Sequence, residues 1–198
     1  MPRVRFAPEG WLFVIPVIIL AAIALLLQWY AVAIVLGALA AFLLHFFRDP
    51  HRAGSARHVD VLSPADGTVV QIKDIPDGEV WPGLTKQISI LMSVFDVHVN
   101  RAPISGRIVH ARREAEQNLV VITDPRGVTV AFKQIAGLLA RRIVFDKKEG
   151  DEVGRGERLG MIKFGSRVDA FFPAEALIKV RMRDKVKVAL TVIAEIGS

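Results

Sequence analysis

Hydrophobic and polar positions divide this 198-residue chain into three stretches of different character. From Gly10 to Phe47 there is no Asp, Glu, Lys or Arg, and Trp11 to Phe47 is apolar over almost its whole length. A single helix of those residues would extend about 55 Å, against a hydrocarbon core of roughly 30 Å. The step Gln28-Trp29-Tyr30 divides the stretch into two similar halves, and Trp and Tyr favour the membrane interface. The pattern therefore predicts a hydrophobic helical hairpin over residues 1–47. Residues 48–58 are polar, contain Pro50 and Gly54, and read as a linker.

From Val59 to Ser198 the pattern changes to short alternating or β-branched runs broken by turn dipeptides. Strands are expected at Gly67–Ile72, Gln87–Leu91, Gly127–Phe132 and Val186–Val192, the last with Val186, Val188, Leu190 and Val192 on one face. Turns are expected at Asp66-Gly67, Asp77-Gly78, Pro82-Gly83, Ser105-Gly106 and Arg126-Gly127. Only Lys133–Arg142 and Pro173–Leu177 read as short helices. Two internal echoes stand out. Pro64 to Val69 (PADGTV) is matched by Pro103 to Ile108 (PISGRI), and Asp151-Glu152-Val153 with Leu159 by Asp184-Lys185-Val186 with Val192. The fold class is mainly β, a sandwich- or barrel-like hybrid domain carrying an N-terminal hydrophobic helical hairpin.

Charge refines this picture. The net charge of +6 suits nucleic acid, an anionic membrane surface or an acidic substrate, and the adjacent apolar stretch favours the membrane. Arg3 and Arg5 precede the hairpin, and Arg48, Arg52 and Arg57 follow it, which places both ends on the cytoplasmic side of the cell membrane. Spanning the bilayer and dipping into one leaflet both remain open. Arg112-Arg113 and Arg141-Arg142 lack interleaved aromatics, so a nucleic-acid partner is not expected. With no Cys there is no disulfide scaffold, cysteine zinc site or thiol catalysis. The five His residues show no metal-ligand spacing.

Three places hold groups suited to chemistry. Val94 to Asn100 (VFDVHVN) alternates as a strand whose face turns from core to Asp96, His98 and Asn100, where a site would open; a locally satisfied histidine is the plainer reading. Asp66, taken alone, is a turn residue. Gly165-Ser166 follows the apolar run Met161–Phe164 and is uninformative alone.

Taken together these elements resemble a known family. The order is a hydrophobic hairpin, then SPADG, FDVHVNRAP, an E-x-E-x-N stretch at Glu114–Asn118, IAGLLARRIV, GDEVGRGERLG and KFGSRVD. It is similar to phosphatidylserine decarboxylase proenzymes of the short bacterial and archaeal type, over residues 10–198. The resemblance implies self-cleavage between Gly165 and Ser166, giving a large chain 1–165 and a small chain 166–198 that stay associated. Attack by the Ser166 hydroxyl on the preceding carbonyl, then elimination and loss of ammonia, would leave a covalent pyruvoyl cofactor where Ser166 stood. It further implies an Asp66–His98 pair supporting the serine as in a protease triad. The pyruvoyl group would take the amine of phosphatidylserine as an imine and accept electrons as carbon dioxide leaves, yielding phosphatidylethanolamine in phospholipid biosynthesis. His98 would donate the proton, and Asn100 and Arg101 would orient the head group. The implied partners are the phospholipid and the membrane, with self-association of copies left open.

Two features depart from the pattern. Long-form relatives carry a second histidine where this chain has Arg101, and only Ala111-Arg112-Arg113 separate His110 from Glu114, where short-form relatives carry a longer loop. Two rivals stay open at this point: a membrane-anchored adaptor with a lipoyl-like β domain, and a pyruvoyl decarboxylase of a soluble amino acid.

Overall fold

The uncharged stretch and the alternating stretch fold as separate units. The computed structural model describes residues 4–52, 57–114, 116–137, 143–163 and 166–197, and the chain divides into compact units Met1–His51 and Arg52–Ser198.

In the first unit, β1 (Val4–Phe6) pairs antiparallel with β2 (Arg48–Pro50), so the chain enters and leaves at one end. Between them lie α1 (Trp11–Leu26) and α2 (Tyr30–Phe46), packed on each other. Gln28, at φ 61, reverses the chain at the step the sequence marks. Neither helix has a polar face, and Leu12, Leu26, Ile34 and Val35 are all more than two-thirds exposed. Pro8–Leu26, with 19 residues and mean hydropathy 2.4, is long and apolar enough to cross a bilayer; Tyr30–Phe46 is shorter. At the base Phe13 stacks on Phe47 at 5.5 Å and Phe6 leans on Trp11 at 4.6 Å. Gly10 fits there because a Cβ would lie 2.5 Å from the Phe6 ring.

The second unit is built of strands: β3 (Asp60–Leu62), β4 (Gly67–Asp74), β5 (Leu84–Met92), β6 (Val99–Arg101), β7 (Gly106–Arg113), β8 (Gln117–Thr123) and β9 (Thr129–Ala136). The remainder are β10 (Ile143–Phe145), β11 (Glu152–Val153), β12 (Arg158–Ile162), β13 (Ser166–Pro173), β14 (Leu177–Ile178), β15 (Lys185–Val186) and β16 (Val192–Glu195). Eight form one sheet in the order β11-β7-β8-β9-β13-β5-β4-β15. Two three-stranded sheets, β10-β12-β6 and β14-β16-β3, complete the unit. The inner face carries fully buried Ile88, Ile90, Ile122, Phe132, Val168 and Phe172 in one core. The expected mainly β domain with a helical hairpin is what forms.

The sequence echoes become a two-fold repeat in this topology. The eight-stranded order is the same from either end once β11, β7, β8 and β9 are matched with β15, β4, β5 and β13. Gly67 pairs with Val186 at one edge, and Gly106 with Val153 at the other. Both glycines are forced by close approach: a Cβ would lie 2.4 Å from the Leu91 carbonyl oxygen, or 2.3 Å from that of Thr123. The left-handed turn glycines Gly150 and Gly156 in one half answer to Arg183 (φ 73) and Ala189 (φ 57) in the other. The passage from β12 to β13 carries the chain from one half back to the other.

Several local expectations are corrected. Val186–Val192 is not one strand: left-handed Ala189 turns the chain between β15 and β16, leaving Leu190 exposed. Lys133–Ala136 belong to β9, and 138–142 of the expected helix lie outside the described residues. Pro173–Leu177 is the β13–β14 turn, because Phe171 and Phe172 on the strand carry the burial. The strand expected from Gly127 starts at Thr129, since Gly127 at φ 87 is in the turn.

Candidate active site

Ser166 is the first residue of β13 and is 3% exposed. It lies in register between Met92 of β5 and Ala136 of β9, and its Oγ donates to Met92 Sδ at 3.2 Å. The strand leading towards it, β12, pairs with β6, and beyond their ladder the Ile162 N–H donates to the His98 carbonyl at 3.2 Å. The His98 backbone is thereby fixed beside the segment that precedes Ser166. Gly165, the other half of the expected junction, lies outside the described residues.

The run Val94–Asn100 is not the continuous strand expected. Ser93–Asp96 form a turn in which Asp96 Oδ2 accepts the Ser93 N–H at 2.8 Å and the Asp96 N–H donates to the Ser93 carbonyl. Asp96 is thus spent on the turn, and β6 begins only at Val99. His98 is fully buried, with Nδ1 3.0 Å from the Asp96 carbonyl oxygen. A carbonyl only accepts, so Nδ1 carries the hydrogen in the neutral ring and Nε2 keeps the lone pair.

Asp66 is buried at the end of the Pro64 turn. Its carboxylate accepts from Nη1 and Nη2 of Arg52, accepts the Val188 N–H at 2.7 Å, and accepts the Val97 N–H at 3.3 Å. Its connection to His98 runs through the backbone of the preceding residue. Asn100 and Arg101 go to different neighbours. Asn100 Nδ2 donates to the Pro64 carbonyl at 3.2 Å, and its Oδ1 accepts from Gln134 Nε2 at 2.9 Å. Gln134 Oε1 in turn accepts from Asn118 Nδ2 at 2.7 Å. Arg101 Nη1 donates instead to the Gly156 carbonyl at 2.9 Å. Next to that turn, the Lys147 ammonium at 2.5 Å, helped by the Gly154 N–H, holds the Glu157 carboxyl below its ordinary pKa. The same bond raises Lys147.

Gln134, Asn118 and Arg52 were not singled out as site residues by sequence reasoning. Gln134 had a readable signal, a polar side chain between Phe132 and Ala136 on the buried face of a strand. Arg52 had none beyond its charge, since its partner is fourteen residues away.

Comparison with known proteins completes this geometry. The family described as phosphatidylserine decarboxylase matches residues 39–194, which include Asp66, His98, Asn100, Arg101 and Ser166. The chain belongs to the phosphatidylserine decarboxylase family. It is 43% identical over 192 residues to the phosphatidylserine decarboxylase proenzyme of Magnetococcus marinus, covering 89% of this chain and 88% of that one. The proenzyme of Solibacter usitatus is 48% identical over 193 residues, covering 88% and 90%. That of Symbiobacterium thermophilum is 38% identical over 212 residues, covering 99% and 98%. Among solved structures, glucose permease IIA from Mycoplasma capricolum aligns with a TM-score of 0.48 at 19% identity, over 70% of this chain and 96% of that one. The phosphatidylserine decarboxylase match covers nearly the whole β unit and begins within α2.

Proposed function

We propose that this chain decarboxylates phosphatidylserine to phosphatidylethanolamine with a pyruvoyl group that it makes from Ser166. The observation that carries the reading is the position of Ser166, buried at the crossing between the two halves of the fold with the His98 backbone bonded to the strand before it. The residues present fit the group. A small side chain at a strand start, enclosed by Met92 and Ala136, leaves a keto function shielded from bulk water.

In maturation, Ser166 Oγ attacks the carbonyl carbon of residue 165 and His98 Nε2 takes the hydroxyl proton, converting the amide to an ester. His98 passes that proton to the freed amine and then takes the Ser166 α-proton as the Cβ–O bond breaks, freeing the residue 165 carboxylate and leaving a Cα=Cβ double bond at residue 166. Hydrolysis releases ammonia and leaves the pyruvoyl at the head of residues 166–198. Asp66 contributes by anchoring the Val97–His98 backbone, so that the imidazole is held rather than searching. The small chain stays bound because β13 is hydrogen-bonded on both sides, to β5 and to β9.

In turnover the pyruvoyl group supplies the electron sink for loss of the carboxylate. His98, protonated, returns a proton to the carbon that has lost carbon dioxide, and the Asn118–Gln134–Asn100 chain, which ends on the Pro64 carbonyl, holds Asn100 in place. Arg101 offers a cation to the head group. The apolar hairpin tethers the chain to the cytoplasmic face of the membrane that holds the substrate.

The test is carbon dioxide release from phosphatidylserine in detergent micelles, with free serine in parallel. Release from the lipid alone, abolished by Ser166→Ala, is expected. Equal turnover of free serine would overturn the lipid assignment.

A further inference from the structure

The turn before His98 exposes the wrong kind of residue for a face meant only for water. Phe95 is 65% exposed and Val94 38%, on a turn fixed by the Ser93–Asp96 bonds described above. Leu91, 52% exposed, lies just before it on the outer face of the eight-stranded sheet. Ladder register sets Leu91 in one row with Arg167, Thr68 and Lys185: Arg167, whose Nη2 also meets Asp169 Oδ2 at 2.9 Å, stands beside Leu91, and Lys185 stands on the other side beyond Thr68. The adjacent pair in the same ladder is Met92 and Ser166. Apolar tip, flanking cations and reactive serine thus share one end of the sheet.

We propose that Leu91, Val94 and Phe95 form a lipid-contact face of the β unit, with Phe95 entering the surface of an anionic bilayer and Arg167 and Lys185 meeting its phosphates. This rests on the reading of Ser166 as acting on a bilayer lipid. It adds a membrane contact within the β unit to the one proposed for the hairpin. A rigid aromatic-tipped turn loses little conformational freedom on insertion, and exposed apolar area flanked by cations is the composition of interfacial binding surfaces. Ser166 and Met92 lie one residue along the ladder from Arg167 and Leu91, so a bilayer meeting this end of the sheet would lie close to Ser166.

The chain has no Cys, so one introduced thiol is a unique label site. Full-length Phe95→Cys and Glu175→Cys, the latter beyond the opposite end of β13, would each carry an environment-sensitive fluorophore. They would be reconstituted in phosphatidylglycerol/phosphatidylcholine vesicles containing a lipid with a nitroxide on its acyl chain. The label at 95 is expected to lose more than half its emission to the nitroxide, less so in pure phosphatidylcholine, while the label at 175 is unaffected. Equal quenching at both sites, or none at 95, would overturn the proposal. So would self-quenching between labelled copies at 95 without nitroxide quenching, which would make the patch an interface between copies. The 166–198 fragment is scored in the same samples. Cleavage without insertion removes only this face, whereas absence of the 166–198 fragment from both labelled variants and from the unsubstituted chain counts against the Ser166 reading.

Discussion

Asp66 and Val188 meet through a 2.7 Å hydrogen bond from the Val188 N–H to Asp66 Oδ1, and the other half of the fold repeats the contact with Ser105 Oγ and the Arg155 N–H at 2.9 Å. The repeat shows what is ordinary about Asp66 and what is not. Capping a turn amide is the shared structural task. Binding Arg52 and the Val97 N–H is the addition, and it falls in the half that faces His98.

Asp66→Ser is therefore predicted to keep the cap and lose the addition. It should fold, losing about 1–3 kcal/mol for the unmade bonds to Arg52, while self-cleavage slows. Asp66→Ala strands Arg52 in the same way and also leaves the Val188 N–H unbonded, so it should cost about 1–3 kcal/mol more than Asp66→Ser. Chemical denaturation and a cleavage time course on a gel separate the two effects.

The buried amide chain gives a second prediction. Gln134→Leu would strand Asn100 Oδ1 and Asn118 Nδ2, at a cost of about 1–3 kcal/mol, and slow lipid turnover by loosening Asn100. Adding Asn118→Leu should cost less than the sum of the single changes, because the bond between them is already gone. Denaturation midpoints of the two single variants and the double variant check it.

Backbone geometry gives a third. Gly67→Ala and Gly106→Ala push a Cβ to within 2.4 Å and 2.3 Å of a carbonyl oxygen and should each destabilise by about 2–3 kcal/mol. Arg183→Gly should instead stabilise, by up to about 1 kcal/mol, since φ 73 is costly for a residue with a Cβ. Thermal unfolding of the three variants reads both signs.

Glu157 sets a pH dependence. Its carboxyl is held below the ordinary value by Lys147 and then by the Gly154 N–H. A carboxylate of depressed pKa contributes stability that is present above its unfolded value and lost as pH falls through the folded one. Stability should thus decline below the ordinary carboxylate range, and Glu157→Gln should flatten that acid limb while lowering the plateau. Lys147, raised, contributes below its ordinary value, and that contribution is lost in strong alkali. Denaturation midpoints across pH read both limbs.

Much of this architecture is legible in sequence because it depends on local signals. The hairpin follows from uncharged residues and a Gln28-Trp29-Tyr30 break, and the repeat from the matched PADGTV and PISGRI runs, whose glycines sit where a Cβ would meet a carbonyl oxygen. What was not legible depends on distant partners. Val186–Val192 alternates like a strand, but Ala189 bends to complete a turn whose twin uses Gly156. Asp96 shares the alternation of His98 and Asn100, yet a local Asx bond to Ser93 outcompetes the strand. Arg52 and Gln134 acquire their roles only when distant segments meet.

The most direct test of the central claim is the intact mass of the purified chain's small fragment. The account predicts a fragment 166–198 lighter than its sequence by one ammonia, and none from Ser166→Ala. A fragment of unaltered mass, or full cleavage in Ser166→Ala, would contradict it.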